Sequence, residues 1–331
     1  MKVAYDRTVG IVAMEGRGFS NPVDLAISSE SQIYVVSRTN TLQTFGIRIG
    51  ICTIDGKYFG DFGEFGDGDG AFVWPTALAF DQNDRLYLTD EYNHRVTMFN
   101  TNGSFISKWG TYGTGDGQLN GPAGIAIGQT GEIFVSDHLN NRIACFTSDG
   151  NYIKKWGQYG NTNQDLDLPW GITASDTHVY VADWRNDRIQ QFTYDGEFVN
   201  SFGETGDKPG QFYRPSSVAV DTDRYIYVAD WGNERVQILD PDGGFVQELR
   251  GQADLSVWAE EFYEANDDEK SQRDKFELIP EMSPSVQSPY EISARTEPYF
   301  WGPISVKLDP AQNLYVTETN RHRIQVYSQV G

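Results

Sequence analysis

The chain has 331 residues, of which 39% are hydrophobic and 14% aromatic, and its formal net charge is −21. This composition suits one large domain with a real core, and no apolar run approaches the roughly 18 residues that a membrane span needs. A polyanion repels the phosphates of nucleic acids and of acidic membrane surfaces, so the charge argues against both as partners.

The N-terminal segment, MKVAYDRTVGIVAMEG, lacks the continuous apolar stretch of a secretory leader. We therefore expect a cytoplasmic protein, unless a leader was removed before the first residue. Cys52 and Cys145 are the only two cysteines, and they fall at unrelated positions in strand-like stretches. Two such thiols fit a reducing compartment and indicate no disulfide framework.

Six units follow one another, and each opens with a proline just before a short alternating strand. These prolines are Pro22, Pro75, Pro122, Pro169, Pro215 and Pro303. Each unit contains four short strands separated by turn residues, and in the third unit we predict them over 123–127, 132–136, 142–147 and 152–156. Dipeptides such as Asp149-Gly150 predict the hairpin between the third and fourth strands.

A second marker is an Asp-x-x-Asn-x-Arg hairpin after the second strand. It recurs every 46 or 47 residues, starting at Asp90, Asp137, Asp183 and Asp230. Short polar side chains of this kind bond the amides of turns, and arginine reaches carbonyls or the aspartate. Because these residues recur in most units, we interpret them as structural and look for function where the units differ.

A four-stranded unit of this size cannot bury its faces alone, whereas six units in a ring can. The Asp-x-x-Asn-x-Arg hairpin and the Gly-rich run before each proline, such as GTYGTGDGQLNGP, resemble the NHL-repeat family. The resemblance covers nearly all of the chain outside residues 251–300. It implies an all-β fold, a six-bladed β-propeller of four-stranded antiparallel blades that forms a single domain over residues 1–331.

The ring must also close on itself. The last unit ends at Gly331 after three strands, while a surplus strand, TVGIVAM at residues 8–14, precedes the first unit. We expect this N-terminal strand to complete the last blade as its outer strand.

An acidic insertion separates units five and six, where residues 251–300 carry 12 acidic and four basic side chains. Leu255, Trp258 and Phe262 recur at helical spacing after Asp254, a candidate N-cap. We predict a short helix that covers the mouth of the ring as a lid. A disordered acidic loop is the alternative, which the Pro-rich second half favours.

The candidate ligand-binding residues are those that differ between units on the face where the second-to-third strand hairpins emerge. They are Asp24, Arg38, Trp74, Trp170, Trp184, Arg185, Arg214, Trp231, Trp301 and Arg321. Tryptophan is costly to leave in water, and arginine offers a planar fork to a carboxylate or phosphate. The pattern predicts a mouth that holds a small molecule or a protein segment.

The chain is similar in outline to six-bladed propeller enzymes, but it does not carry their metal ligands. Peptidyl-hydroxyglycine lyases bind zinc through a histidine that follows a strand-opening proline, and none of the six equivalent positions here is histidine. Gluconolactonase- and paraoxonase-like propellers hold calcium with axial Glu, Asn and Asp. In this chain only Asp24 offers such an oxygen, beside Ser217 and Ser305. We expect neither a metal nor another cofactor.

Two functions remain open. The first is a binding propeller whose lidded mouth holds a small molecule or a partner segment. The alternative is a metal-independent lyase or hydrolase that acts on a small anionic or aromatic substrate in the same mouth. In that case His94 and His138, on adjacent units, are the candidate acid and base.

Overall fold

The computed structural model describes residues 2–39 and 46–330. Its strands form six separate four-stranded antiparallel sheets, whose strands are labelled a to d from the axis outward, and in five of the sheets the strands pair in sequence order. The a strands of neighbouring sheets contact one another around a closed ring. The all-β, six-bladed propeller predicted from the repeats is therefore confirmed.

The blades have the following strands. Blade 1 contains β2 (Pro22–Ile27), β3 (Ile33–Ser37), β4 (Arg48–Cys52) and β5 (Tyr58–Phe62). Blade 2 contains β6 (Pro75–Phe80), β7 (Leu86–Asp90), β8 (Arg95–Phe99) and β9 (Phe105–Trp109). Blade 3 contains β10 (Pro122–Ile127), β11 (Ile133–Asp137), β12 (Arg142–Phe146) and β13 (Tyr152–Trp156). Blade 4 contains β14 (Pro169–Ala174), β15 (His178–Asp183), β16 (Arg188–Thr193) and β17 (Phe198–Phe202). Blade 5 contains β18 (Ser217–Val220), β19 (Ile226–Asp230), β20 (Arg235–Leu239) and β21 (Phe245–Leu249).

Blade 6 is assembled from both ends of the chain. It contains β22 (Pro303–Leu308), β23 (Leu314–Glu318), β24 (Arg323–Val330) and, as its outer strand, β1 (Lys2–Val9). The pairing runs from Lys2 opposite Val330 to Val9 opposite Ile324. The predicted closure is confirmed, but the predicted bounds of residues 8–14 are wrong, because Gly10 (φ +107°) ends the strand. Residues 11–19 instead form the connection into blade 1.

The core consists of six apolar clusters, one at each seam between neighbouring blades. At four seams, an aromatic side chain at the end of strand d lies against the c–d turn glycine of the next blade. The pairs are Phe62 with Gly103, Trp109 with Gly150, Trp156 with Gly196, and Phe202 with Gly243. These glycines have positive φ, as the turn requires, and a side chain there would meet the ring.

The seam between blades 6 and 1 uses a different aromatic residue. The equivalent position of β1 is Val9, which pairs with Ile324 and is too small to reach the next turn. Trp258 of the insertion fills the gap: its ring lies against Gly56 and its indole N–H donates to the Gly56 carbonyl. The insertion therefore contributes to the seam that closes the ring.

The insertion contains three helices, α1 (Val257–Ala265), α2 (Asp267–Arg273) and α3 (Pro289–Arg295). The N-cap of α1 is Ser256, whose hydroxyl accepts from the backbone N–H of Ala259, and not Asp254 as expected. Of the three predicted anchors, Trp258 is buried, Leu255 is partly exposed and Phe262 is 43% exposed.

The helices of the insertion lie against two parts of the ring. Helix α1 contacts β1 at the closing seam, whereas α3 contacts the hairpin between β19 and β20. The role of the insertion as a lid stays a prediction. None of the helices in the described part of the chain is both long and apolar enough to cross a membrane.

Candidate functional site

The b–c face is the end of the propeller that carries the b–c hairpins and the connections between blades. In blade 3, the Asp137 carboxylate accepts from the backbone N–H of Asn120, and Asn140 donates to the Gly113 carbonyl. Arg142 bonds Asp137 at 2.6 Å and three carbonyls of the same connection. The equivalent residues of blades 4 and 5 repeat this arrangement. The structural interpretation of the Asp-x-x-Asn-x-Arg motif is confirmed: it fastens each hairpin to the connection before it.

In blades 2 to 6 the last residue of the b–c hairpin makes a further bond between blades. In five hairpins it has a left-handed backbone, and its side chain accepts from the N–H just before the next strand-opening proline. The pairs are His94 with Gly121, Asn141 with Leu168, Asp187 with Arg214, Glu234 with Gly302, and His322 with Asn21, at 2.6–3.0 Å. The residue type varies from blade to blade, but the hydrogen bond is the same.

The two candidate catalytic histidines both contact backbone groups. His94 accepts from Gly121 through Nδ1, and its ring lies 4.9 Å from that of Tyr112. His138 is 5% exposed, with Nδ1 3.2 Å from the Pro169 carbonyl oxygen and its ring edge-on to Trp170. Burial lowers the pKa of His138 to about 4 and also lowers the pKa of His94. Both imidazoles are therefore neutral near pH 7.

Three of the predicted tryptophans lie under the guanidinium of a predicted arginine. Arg38 lies 4.5 Å from the ring centre of Trp74, Arg214 lies 4.8 Å from Trp184, and Arg321 lies 5.2 Å from Trp301. The first two pairs join neighbouring blades. Such stacking is worth roughly 0.5–2 kcal/mol, depending on how far the pair is desolvated.

Arg321 also holds the insertion in place. It occupies the asparagine position of the hairpin motif, and its guanidinium donates to the carbonyls of Ser293, Ala294 and Thr296 at the end of α3. The Arg321 side chain is longer than the asparagine of the other hairpins, and the insertion that it bonds is longer than the other connections. Of the remaining candidates, Arg185 is exposed and Trp231 is half-buried.

The ring is nearly closed at its axis on this face. The third residue of each unit, counted from its opening proline, lines a throat of about 20 Å³, which has room for about one water. These residues are Asp24, Ala77, Gly124, Gly171, Ser217 and Ser305. Of the predicted site residues, Asp24 and Trp170 line this throat. The centre of the b–c face is therefore a shallow platform. A cavity of about 740 Å³ lies off the axis on this face, between the insertion and the b–c hairpin of blade 6, and the predicted residue Arg321 lines it.

The sequence reasoning missed several exposed apolar side chains of this face. Phe65, Tyr112 and Tyr159 stand on three successive connections and are 44%, 67% and 73% exposed. Tyr92 and Leu139, on the hairpins of blades 2 and 3, are 68% and 45% exposed. The signal was present in the sequence: each connection aromatic lies inside a Gly-rich run, as in GEFGDG, GTYGTG and GQYGNT.

Neither metal nor thiol chemistry has a site among the residues that the structure describes. Across residues 2–39 and 46–330, no three His, Cys, Asp or Glu side chains are grouped to hold a metal ion. Cys52 and Cys145 are free and buried, and burial raises the pKa of each thiol to about 12. Both thiols are protonated near neutral pH and serve as small core residues.

Comparison with known proteins supports the fold. A family model described as "6-bladed beta-propeller" matches residues 77–154, and one described as "NHL repeat" matches residues 166–192, 212–239 and 300–327. No curated protein matches the chain.

Several solved structures share the architecture at low sequence identity. A structural genomics protein of unknown function from Bacteroides thetaiotaomicron VPI-5482 is 15% identical, with a TM-score of 0.65 over 99% of this chain and 76% of its own. Virginiamycin B lyase from Staphylococcus aureus is 13% identical, with a TM-score of 0.55 over 93% and 95%. A streptogramin B lyase is 13% identical, with a TM-score of 0.56 over 98% and 97%. At this identity the likeness concerns the fold alone. The chain is a six-bladed β-propeller, and three of its units match the NHL repeat.

Proposed function

We propose that the protein binds a protein segment on its b–c face, and that the segment carries basic and apolar side chains. The observation that supports this proposal is the set of exposed aromatic residues on the connections, led by Tyr112 and Tyr159. Single exposed apolar residues are common on proteins, but several on one face indicate an interaction surface. Tyrosine and tryptophan are also the residues that most often anchor protein interfaces.

Charge indicates which partner fits. The connections that carry Phe65 and Tyr112 also carry the exposed acids Asp69 and Asp116, each of which pairs with a lysine of the following blade. The attraction for a basic partner therefore comes from the chain as a whole, whose net charge is −21. A basic partner is attracted by this field and can stack its cations on the exposed rings. An acidic partner is repelled.

The shape of the centre of the face, away from the cavity beside the insertion, favours a segment over a small molecule. A site for a small molecule usually has a volume of roughly 300–1,000 Å³, and the throat on this face has about 20 Å³. A lyase or hydrolase at the centre of the same face has less support, because its substrate needs a pocket and the throat has room for about one water.

The test is selection of random linear displayed peptides against the wild-type protein, followed by measurement of binding to variants. We expect the selected peptides to be rich in Lys, Arg and aromatic residues. Binding should fall by about tenfold or more in the double variant Tyr112→Ser/Tyr159→Ser. Phe276→Ser is the matched control, because Phe276 is 74% exposed but lies in the insertion. Peptides that are acidic, or that bind the double variant as tightly as the wild type, would overturn the proposal.

A further inference from the structure

The largest cavity on the axis opens at the opposite end of the ring. We call this end the a–b face, because it carries the turns between strands a and b, and we call the cavity the axial chamber. The chamber has about 620 Å³ and narrows into the throat on the b–c face. Its volume falls in the range of ligand pockets.

One ring of residues defines the wall of the axial chamber. The fifth residue of each unit, counted from its opening proline, lines it: Ala26, Ala79, Ala126, Thr173, Ala219 and Lys307. Five of these side chains are small and uncharged, and the sixth carries an ammonium group. A repeat fold that needed only to fill its axis would use small residues in all six blades, so Lys307 is the exception.

Lys307 is held by fixed partners. Its Nζ lies 3.2 Å from Asp24 Oδ2 and 3.4 Å from the Leu78 carbonyl oxygen. Asp24, which is buried, also accepts from the backbone N–H of Leu78 and from the Ser305 hydroxyl. An ammonium group has three N–H donors, and these two contacts leave one of them for the chamber. The Lys307 side chain is 25% exposed, and the residue lines both the chamber and the throat.

The mouth of the chamber is acidic. Asp176, Asp221 and Asp309 line the mouth, against one cation there, Arg224. Asp221 and Asp309 accept hydrogen bonds within their own turns, which fixes them in place. The chamber therefore has the Lys307–Asp24 ion pair at its floor, with one N–H of Lys307 toward the chamber, a wall of mostly small side chains, and fixed acids at its mouth.

We propose that the axial chamber binds a small amino carboxylate, with the carboxylate at Lys307 and the amino group toward the acids of the mouth. The carboxylate accepts the free N–H of Lys307 in a charge-assisted hydrogen bond. This site is separate from the platform on the b–c face, and neither depends on the other.

The probes are the twenty common amino acids and the straight-chain ω-amino acids, with 5-aminopentanoate compared against pentylamine and 5-aminopentanamide. Binding to the full chain is measured by calorimetry and by the rise in Tm that a ligand of the folded state produces. We expect at least one amino carboxylate to bind, and its amine and amide analogues to bind about tenfold more weakly or not at all.

The variants separate binding from folding. Lys307→Met alone leaves Asp24 buried without its cation, so the informative variant is Asp24→Asn/Lys307→Met, which removes both charges. We expect it to fold, as shown by circular dichroism, and to lose binding by tenfold or more, whereas Lys307→Arg retains most of it. Ala126→Leu narrows the chamber without touching the ion pair and should also weaken binding. Equal binding by the amide, equal binding by the folded double variant, or no binding by any of these carboxylates would overturn the proposal.

Discussion

The last residue of the b–c hairpins shows how different side chains can make the same hydrogen bond. His94, Asn141, Asp187 and Glu234 each present an acceptor to the N–H before the next strand-opening proline. The left-handed backbone at this position aims the side chain across the seam. Variation between repeats therefore does not by itself indicate a ligand site, which is why His94 was a natural candidate from sequence.

One prediction concerns the pH dependence of stability at the closing seam. His322 Nδ1 accepts from the Asn21 N–H at 2.9 Å, and burial lowers the pKa of His322 below its usual value of 6.5. Because the unfolded chain then binds a proton more readily, the stability present above pH 6.5 is lost as the pH falls through that value. We expect His322→Asn, which places here the residue found at position 141, to lose less stability than the wild type on acidification. Urea unfolding at several pH values measures this, and identical pH profiles would contradict it.

A second prediction compares two arginines of one hairpin. Arg188 bonds Asp183 at 2.8 Å and three carbonyls of the connection, and Asp183 is fully buried. Arg188→Ala leaves that carboxylate without its cation and should cost about 3 kcal/mol or more. Arg185, three residues earlier, is exposed, and Arg185→Ala should stay within about 0.5 kcal/mol of the wild type. Equal losses in denaturant unfolding would show that the motif does not fasten the connection.

The secondary-structure elements show what the repeat could and could not predict. The strands of blade 3 lie within one residue of their predicted bounds, because proline and Asp-Gly turns delimit each of them. The N-terminal strand was shifted, since the apolar residues of the connection at residues 11–19 continue the alternation of β1. The packing of Trp258 in the closing seam was not predictable from sequence. It depends on Val9 of β1, which is smaller than the aromatic residue that ends strand d in four other blades.

A prediction follows for Trp258 at the closing seam. Trp258→Ala should destabilise the protein by about 3–5 kcal/mol, because it empties a buried site between blades 6 and 1. Phe262, one turn further along α1, is 43% exposed, so Phe262→Ala should cost under about 1 kcal/mol. Thermal unfolding of the two variants decides the matter, and a Trp258 variant as stable as the Phe262 variant would show that the insertion does not support the ring.

Removal of β1 tests the closure itself. A chain lacking residues 1–9 loses the outer strand of blade 6 and exposes the edge of β24 to solvent. We expect a large fall in Tm together with a tendency to aggregate, both measurable by calorimetry and light scattering. Addition of a synthetic peptide of residues 1–10 should restore part of the Tm. A truncated protein that melts with the wild type would refute the assignment of β1 to blade 6.

Across the whole molecule, the repeat determines the ring of blades. The residues on the b–c face and on the a–b face can differ from blade to blade. The fold could be predicted from sequence because every unit opens with a proline and most units repeat the same turn and hairpin signals. Sequence alone could not show that three of the candidate tryptophans stack with three of the candidate arginines. Two of these contacts form between blades, and so depend on how neighbouring sheets are set in space. Sequence reasoning also missed the axial chamber, because its wall takes one residue from each of six blades and forms only when the blades are arranged in space.

The most direct test of the binding proposal is hydrogen–deuterium exchange of the protein with and without its tightest selected peptide. We predict that the peptide slows exchange in the hairpins and connections that carry Tyr92, Tyr112 and Tyr159. The a–b turns at residues 175–177 and 221–225 should exchange at the same rate in both samples. Protection of those turns, with none on the b–c face, would contradict the account.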